Sequence, residues 1–347
     1  MKPAPFEYHA PTDAKEAVEL LAELGDGAKL IAGGQSLIPL LALRLASFEH
    51  LIDLRKVSGL GGIEDRAGSL PGTVGSEGAG YDGAGSGETV WIGAGTTEAA
   101  IGRSPLVAAK VPLLARATPL IGHFQIRNRG TIGGSLAHAD AAAEYPAVAL
   151  ALDAVIETLS PRGQRAIPAA QFFTGIWSTA LEPDELLTGV TFRAPGARAG
   201  FAVEEFARRP GDFAVAGAAV AIELHADADG GADGRDARVR RCAIGLFGLG
   251  TTPVRAAAAE AAVVGGPAGV GGAAGEMCTD AFAREIGHAA MAGLDSVPSD
   301  LHGPAAYRKR VGAAVVTAAW HRAINEAVGG AVGPGHRATL DEEAARG

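Results

Sequence analysis

Cysteine is nearly absent: Cys242 and Cys278 are the only two in 347 residues. Two cysteines without CxxC spacing cannot ligate an iron–sulfur cluster or a structural zinc, and they exclude a disulfide framework. Any redox chemistry in this chain must therefore use an organic cofactor. Long apolar runs are missing too. No segment reaches the roughly 20 apolar residues of a membrane helix, and the opening MKPAPFEYHAPTDAKEAVELL has no signal-peptide core. A cytoplasmic protein without a membrane span is the expectation. Basic residues are in deficit, 30 Lys and Arg against 39 Asp and Glu, and they are scattered rather than striped. That distribution argues against nucleic acid as a partner.

Two nucleotide motifs are also lacking. There is no GxxxxGK[ST], so a phosphate-binding P-loop is unsupported. Gly93-Ala94-Gly95-Thr96-Thr97-Glu98 begins like GxGxxG but places Glu98 at the third glycine, where close helix–strand approach would be blocked.

What is present is a chain that is 48% hydrophobic and long enough for two or three domains. FEYHAPTDAKEAVELLAELGDGAKLIAGG reads as strand, helix, strand, with Thr12 as N-cap, an apolar face of Val18, Leu20, Leu21 and Leu24, and Gly25 at the stop. A helix in SLIPLLALRLA and a strand in HLIDLRKV continue this α/β alternation, and TVWIGAGTTEAAI extends it. Between them, Ala67 to Gly87 is so rich in Gly and Ser that a mobile surface insertion is expected. Residues 105 to 122 read as helical. Strands follow on either side of Pro161 to Gly163 and in ELLTGVTFRAP, and a Pro/Gly/Ala linker at 194 to 200 marks a boundary. Beyond it, two strands joined at Pro210 and Gly211, a third in VRRCAIGLFGLG and then helices predict an α+β unit. A Gly-rich connection at 265 to 275 and a disordered tail from 328 complete the reading.

Two glycine loops carry the functional signal. In the first, KLIAGGQSL, a strand runs through Ala32, Gly33, Gly34, Gln35 and Ser36 into a helix. Backbone N–H groups at a helix start make an anion site without any lysine, and glycines let a phosphate approach them. The second, Thr131 to Ser135, is TIGGS. Taken singly, each also fits a tight turn, the first capped by Ser36. Taken together, two loops able to present several N–H groups suit a pyrophosphate gripped from two sides.

With these residues in view, KLIAGGQSLIPLLALRLA, IGHFQIRNRGTIGGSLAHADAAAEYPAVALALDA and FARRPGDFAVAG, in that order, resemble the FAD-binding medium subunit of bacterial molybdenum hydroxylases. That group includes carbon monoxide dehydrogenase medium subunits and xanthine dehydrogenase flavin subunits. The resemblance spans residues 1 to 325 or so. It implies an α+β chain: a two-part FAD domain of the vanillyl-alcohol-oxidase (PCMH) type, then a smaller C-terminal α+β domain. The limits expected are 1–58 and 59–194 for the two FAD subdomains, 200–327 for the C-terminal domain and 328–347 for the tail.

Residue by residue, the resemblance implies FAD contacts from Lys29, Leu30, Ile31, Ala32, Gly33, Gly34, Gln35, Ser36 and Leu37, and from Thr131, Gly133, Gly134 and Ser135. Many relatives carry His where Gln35 stands. Glu144 occupies the position of an acidic residue that meets the flavin's polyol chain, usually Asp. Its other reading is a helix N-terminal charge. Leu186 matches a position whose backbone faces the flavin ring, although a strand leucine is commonly core. A lysine of xanthine dehydrogenases is replaced here by Glu204 or Glu205. Arg208, Arg209 and Asp212 read as a charged hairpin turn or as groups facing the flavin or a partner. His138 and Asp140 lack a third ligand at useful spacing and read as structural.

The implied function is electron transfer. A small partner with two [2Fe–2S] clusters passes electrons to FAD in this chain, a large partner carries the molybdenum cofactor, and the assembly is a dimer of heterotrimers. No side chain in this chain is expected to act as a catalytic acid or base. The competing readings are a stand-alone FAD alcohol oxidase of the same fold and a flavin-free scaffold.

Overall fold

The structure, a computed structural model, describes residues 2–68, 87–225, 238–264 and 277–329. Most of the expected insertion at 67–87, the connection at 265–275 and nearly all of the tail lie outside the described residues.

The chain opens with a small parallel sheet. β1 (Glu7–His9) is followed by α1 (Ala14–Leu24), β2 (Ala28–Ile31), α2 (Leu37–Ala42) and β3 (His50–Asp53), with strand order β1-β3-β2. The cap of α1 is Asp13 and not Thr12: the Asp13 carboxylate accepts from the Glu16 N–H at 2.9 Å, and Glu16 accepts in return from the Thr12 N–H at 2.8 Å. This reciprocal box satisfies donors that the first helical turn leaves open. Thr12 and Asp13 are adjacent cap-formers, and only the carboxylate reaches the third helical residue. Leu21 of α1 buries against Ala28 and Ile52 of the sheet, while Ala17 and Val18 turn toward Val57, Leu60 and Leu186. α2 ends at Ala42, well short of the apolar run that suggested a longer helix, and Arg44 follows in the left-handed region with φ 57°.

The second sheet is antiparallel. β4 (Ile63–Ala67), β5 (Glu88–Gly93), β6 (Val155–Ser160), β7 (Gly163–Pro168) and β8 (Leu186–Arg193) are ordered β4-β5-β8-β6-β7. The strand and helix expected in TVWIGAGTTEAAI are present as β5 and the helix that begins at Glu98, and β5 pairs antiparallel with β4 and β8. Strand–helix alternation along the chain does not specify a strand's partners, and β8 comes from far along the sequence. A helical layer lies between β5 and β6, including α3 (Glu98–Arg103), α4 (Pro105–Lys110), α5 (Pro112–Ala117), α6 (Phe124–Arg127), α7 (Ile132–His138) and α8 (Glu144–Ala151). Ile101, Leu113, Leu114, Ile132, Leu136 and Val148 from this layer share a core with Val90, Ile92, Ile156 and Val190 of the sheet.

The third sheet comprises β9 (Ala199–Phe206), β10 (Ala216–Leu224), β11 (Val239–Phe247) and β12 (Val254–Arg255), in that order and antiparallel. All nine residues of β10 are buried, because helices cover both of its faces. Ala216, Ala218, Val220 and Ile222 pack with α9 (Asp280–Ala292) and α10 (Ala305–Gly329), whereas Ala219 and Ala221 join the core that contains α8. Fully covered strands read as continuous apolar runs, as this one does. Trp320 is completely buried in α10 and donates its indole N–H to the Met277 carbonyl at 2.9 Å.

Candidate functional site

The first loop leaves the end of β2 and enters α2. Among the described residues, no protein acceptor takes the N–H of Gly33, Gly34, Gln35 or Ser36. Gly34 has φ 73°, a conformation that favours glycine, and its carbonyl accepts from the Ile38 N–H at 3.0 Å. Gln35 folds back, its amide donating to the Gly33 carbonyl at 3.0 Å. Ser36 does not cap α2 with its side chain, so the turn-capping alternative for its hydroxyl fails. Four consecutive unclaimed donors beside a free hydroxyl form a concentrated anion-binding surface.

The second loop is built differently. Thr131 caps α7, its Oγ1 accepting from the Gly134 N–H at 3.1 Å. The Ile132 N–H donates to the Thr96 carbonyl at 3.1 Å, Gly133 to Ala94 at 2.9 Å and Ser135 to Thr131 at 3.0 Å. These backbone donors are therefore already used, contrary to the expectation that both loops present them. The loop instead offers hydroxyls: Ser135 Oγ has no described protein partner, and Thr131 Oγ1 serves only as an acceptor among the described bonds. The GAGTTE turn, unsuitable as a dinucleotide fingerprint, is the seat on which this loop rests.

The two loops meet. A Cβ on Gly33 would overlap the Arg129 carbonyl and come within 2.8 Å of the Gly130 Cα, and one on Gly134 would lie 3.6 Å from the Ala32 Cβ. Gly133 is needed for packing, since its Cβ would fall 2.8 Å from the Ala94 main chain. Of the flanking residues, Lys29 extends over the Phe48 ring at 5.8 Å, Leu30 packs in the small cores under α1, Ile31 lies beside Gly34, and Leu37 begins α2. Leu186 is farther into the core: its side chain is buried with Ala17, Val18, Val57 and Leu60, leaving only its main chain for a ligand.

Carboxylates gather behind the second loop. Glu144, the first residue of α8, is buried, and burial pushes its carboxyl up to about 8, helped by the charges of Glu205, Glu98 and Asp140. Burial also raises Glu98 to about 7 against the opposing charge of Arg127, and raises Glu205 to about 7. Glu98 Oε2 and Glu205 Oε2 are buried without a hydrogen-bond partner among the described residues. Such atoms cost free energy unless protonated or met by a ligand. Sequence reasoning treated Glu98 only as a motif mismatch. An acidic residue where small size is expected was the available signal.

Glu204 pairs with Arg322. The turn holding Arg208, Arg209 and Asp212 is exposed at its arginines and packs close to His123, whose Cε1 would lie 2.7 Å from a Cβ on Gly211. Phe124, Phe206 and Phe213, respectively 64%, 42% and 59% exposed, accompany that turn. His138 stacks on Trp177 at 6.4 Å, with burial lowering its pKa, and Asp140 accepts from the Ala142 N–H at 2.8 Å.

Comparison with known proteins agrees with this layout. The family described as the FAD binding domain in molybdopterin dehydrogenase matches residues 4–75 and 83–194, and the CO dehydrogenase flavoprotein C-terminal domain matches 201–323. The chain is 37% identical over 327 residues to the 6-hydroxypseudooxynicotine dehydrogenase complex subunit alpha of Paenarthrobacter nicotinovorans, covering 94% of this chain and 97% of that one. It is similar to a chain of carbon monoxide dehydrogenase from Hydrogenophaga pseudoflava, with TM-score 0.78, 37% identity and coverage of 93% and 98%. A chain of quinoline 2-oxidoreductase from Pseudomonas putida 86 gives TM-score 0.78 at 32% identity, with coverage of 94% and 100%. FAD carries a pyrophosphate, and the unclaimed N–H groups of residues 33–36 fit such a group. The chain belongs to the FAD-binding medium subunits of the molybdenum hydroxylases, an oxidoreductase family.

Proposed function

We propose that this chain carries electrons from [2Fe–2S] clusters of a small partner subunit, through FAD, to an external acceptor, while a large molybdenum subunit oxidises the substrate. The observation that carries the reading is the contact between a loop with four unclaimed N–H groups and a second loop that offers the Ser135 hydroxyl and the Thr131 hydroxyl proton. Gly33, Gly34, Gln35 and Ser36 hold the pyrophosphate through backbone N–H groups, with Lys29 to Ala32 and Leu37 framing them. Thr131 and Ser135 add hydroxyls, and Gly133 and Gly134 keep the second loop close. Glu144 faces the polyol chain, and the Leu186 main chain faces the ring. When bound, FAD accepts electrons singly and releases them in pairs.

The cysteine content supports a borrowed cluster. Cys242 is buried, with its thiol pushed well up by burial, and Cys278 stands far from it in sequence, outside CxxC spacing. The names of similar proteins specify carbon monoxide, 6-hydroxypseudooxynicotine and quinoline, yet each has a chain similar to this one over more than nine-tenths of its length. Substrate choice therefore belongs to the large partner. The three-subunit unit is read as doubled into a dimer of heterotrimers.

The test is reconstitution. The purified chain should release FAD on acid treatment, and its flavin should be reduced by substrate only after both partner subunits are added. Substrate turnover by the isolated chain would overturn the electron-transfer reading.

A further inference from the structure

At the other end of the parallel sheet lies a group that the flavin site does not use. Glu7 and His9 are two apart on β1, which puts them on one face of the strand. In the β1–β3 register His50 is opposite Glu7. His9 Nε2 is 3.2 Å from His50 Nδ1, which is 3.5 Å from Glu7 Oε2. The three residues have ligand atoms that all lie within 4.8 Å of one another. The imidazole rings are tilted by 48°, with their centroids 5.3 Å apart. The Glu7 main chain is fixed by its N–H donating to the Glu49 carbonyl at 2.8 Å.

These spacings suit a metal ion. Bonds of about 2.0–2.1 Å in a tetrahedral zinc site put neighbouring ligand atoms roughly 3.3–3.4 Å apart. His50 Nδ1 faces both His9 Nε2 and Glu7 Oε2, but an imidazole nitrogen holds only one proton or one lone pair. One cation placed among the three atoms satisfies all of them together. Two imidazoles and a carboxylate favour a transition ion over magnesium or calcium, which prefer oxygen alone. The Glu7 side chain is 76% exposed, leaving room for water as a fourth ligand.

We infer that Glu7, His9 and His50 form a binding site for a divalent transition-metal ion, zinc in the first instance, which ties β1 to β3. β1 has only three register pairs with its neighbour, so a metal clip would hold an otherwise lightly anchored strand. The site is separate from the glycine loop. His50 pairs with Ala28 at the start of β2, whereas the loop leaves after Ile31, about 10 Å farther along the strand.

The experiment uses the untagged full-length chain, stripped with chelator and titrated with zinc alone by calorimetry. Elemental analysis follows gel filtration, and thermal melting is recorded with and without the ion. One zinc per chain and a raised melting temperature are expected. His9→Gln and His50→Gln should each weaken zinc binding by about a hundredfold and abolish the melting shift, Glu7→Gln should weaken it about tenfold, and FAD content should be unchanged in all three. Magnesium should give no shift. His9→Gln, at a partly exposed position, keeps the test valid if His50→Gln fails to fold. Absence of stoichiometric zinc in the wild-type chain, or equal zinc binding by the wild type and both histidine variants, would overturn the inference.

Discussion

Gly33 lies against the main chain of Arg129 so closely that a Cβ at position 33 would overlap the Arg129 carbonyl. This contact joins the end of the parallel sheet to the segment leading into α7. The glycine therefore serves the meeting of two loops, beyond any closeness to a ligand.

Gly33→Ala should reduce acid-released FAD to below about a tenth of the wild-type content, because the added methyl forces the loops apart at a cost of about 1–3 kcal/mol. Gly134→Ala should do less, since its Cβ would meet only Thr131 Oγ1 at 3.0 Å and Ala32 at 3.6 Å. Gly61→Ala is the control, having nothing within 4 Å of the added atom. Equal flavin content in the Gly33 and Gly61 variants would refute the contact's role.

Gln35→Ala removes the bond from the side-chain amide to the Gly33 carbonyl, which holds the loop in shape. Loss of one exposed hydrogen bond of about 1 kcal/mol predicts a roughly fivefold weaker FAD affinity. Fluorescence titration of the deflavinated chain measures it, with an unchanged Kd as the contrary outcome.

Glu144 provides the pH dependence. Its folded pKa, about 8, is raised from 4.5, so the unfolded chain loses this proton first as pH rises. The stabilising contribution is full below about pH 4.5 and is lost as pH climbs through about 8. Between pH 5 and 8, flavin-free Glu144→Gln should lose about 5 °C less in melting temperature than the wild type. Parallel melting curves for the two proteins would contradict the assignment.

Arg308 tests the C-terminal unit. It is buried in α10 and donates to the carbonyls of Val215 and Gly248, each at 2.8 Å, and to both Asp300 oxygens at 2.7 Å. Arg308→Met leaves those carbonyls without their donor and should destabilise the chain by about 3 kcal/mol or more. Denaturant unfolding gives the value, and a change below about 1 kcal/mol would show that the network contributes little.

The ingredients were legible along the chain: two glycine loops in order, too few cysteines for a cluster, the apolar face of α1 and three runs of strands. Those features are local, fixed by backbone permissiveness, side-chain chemistry and periodicity. Tertiary structure alone decided how they are used. It spent the N–H groups of Ile132, Gly133 and Ser135 on protein carbonyls while leaving those of Gly33 to Ser36 free. It paired β5 with β8, buried Leu186 beneath α1, and set Glu98 and Glu205 near Glu144. It also brought His50 to His9 across 41 residues of sequence. Each outcome depends on which distant segment arrives as a neighbour, a property of packing that no short window of sequence contains.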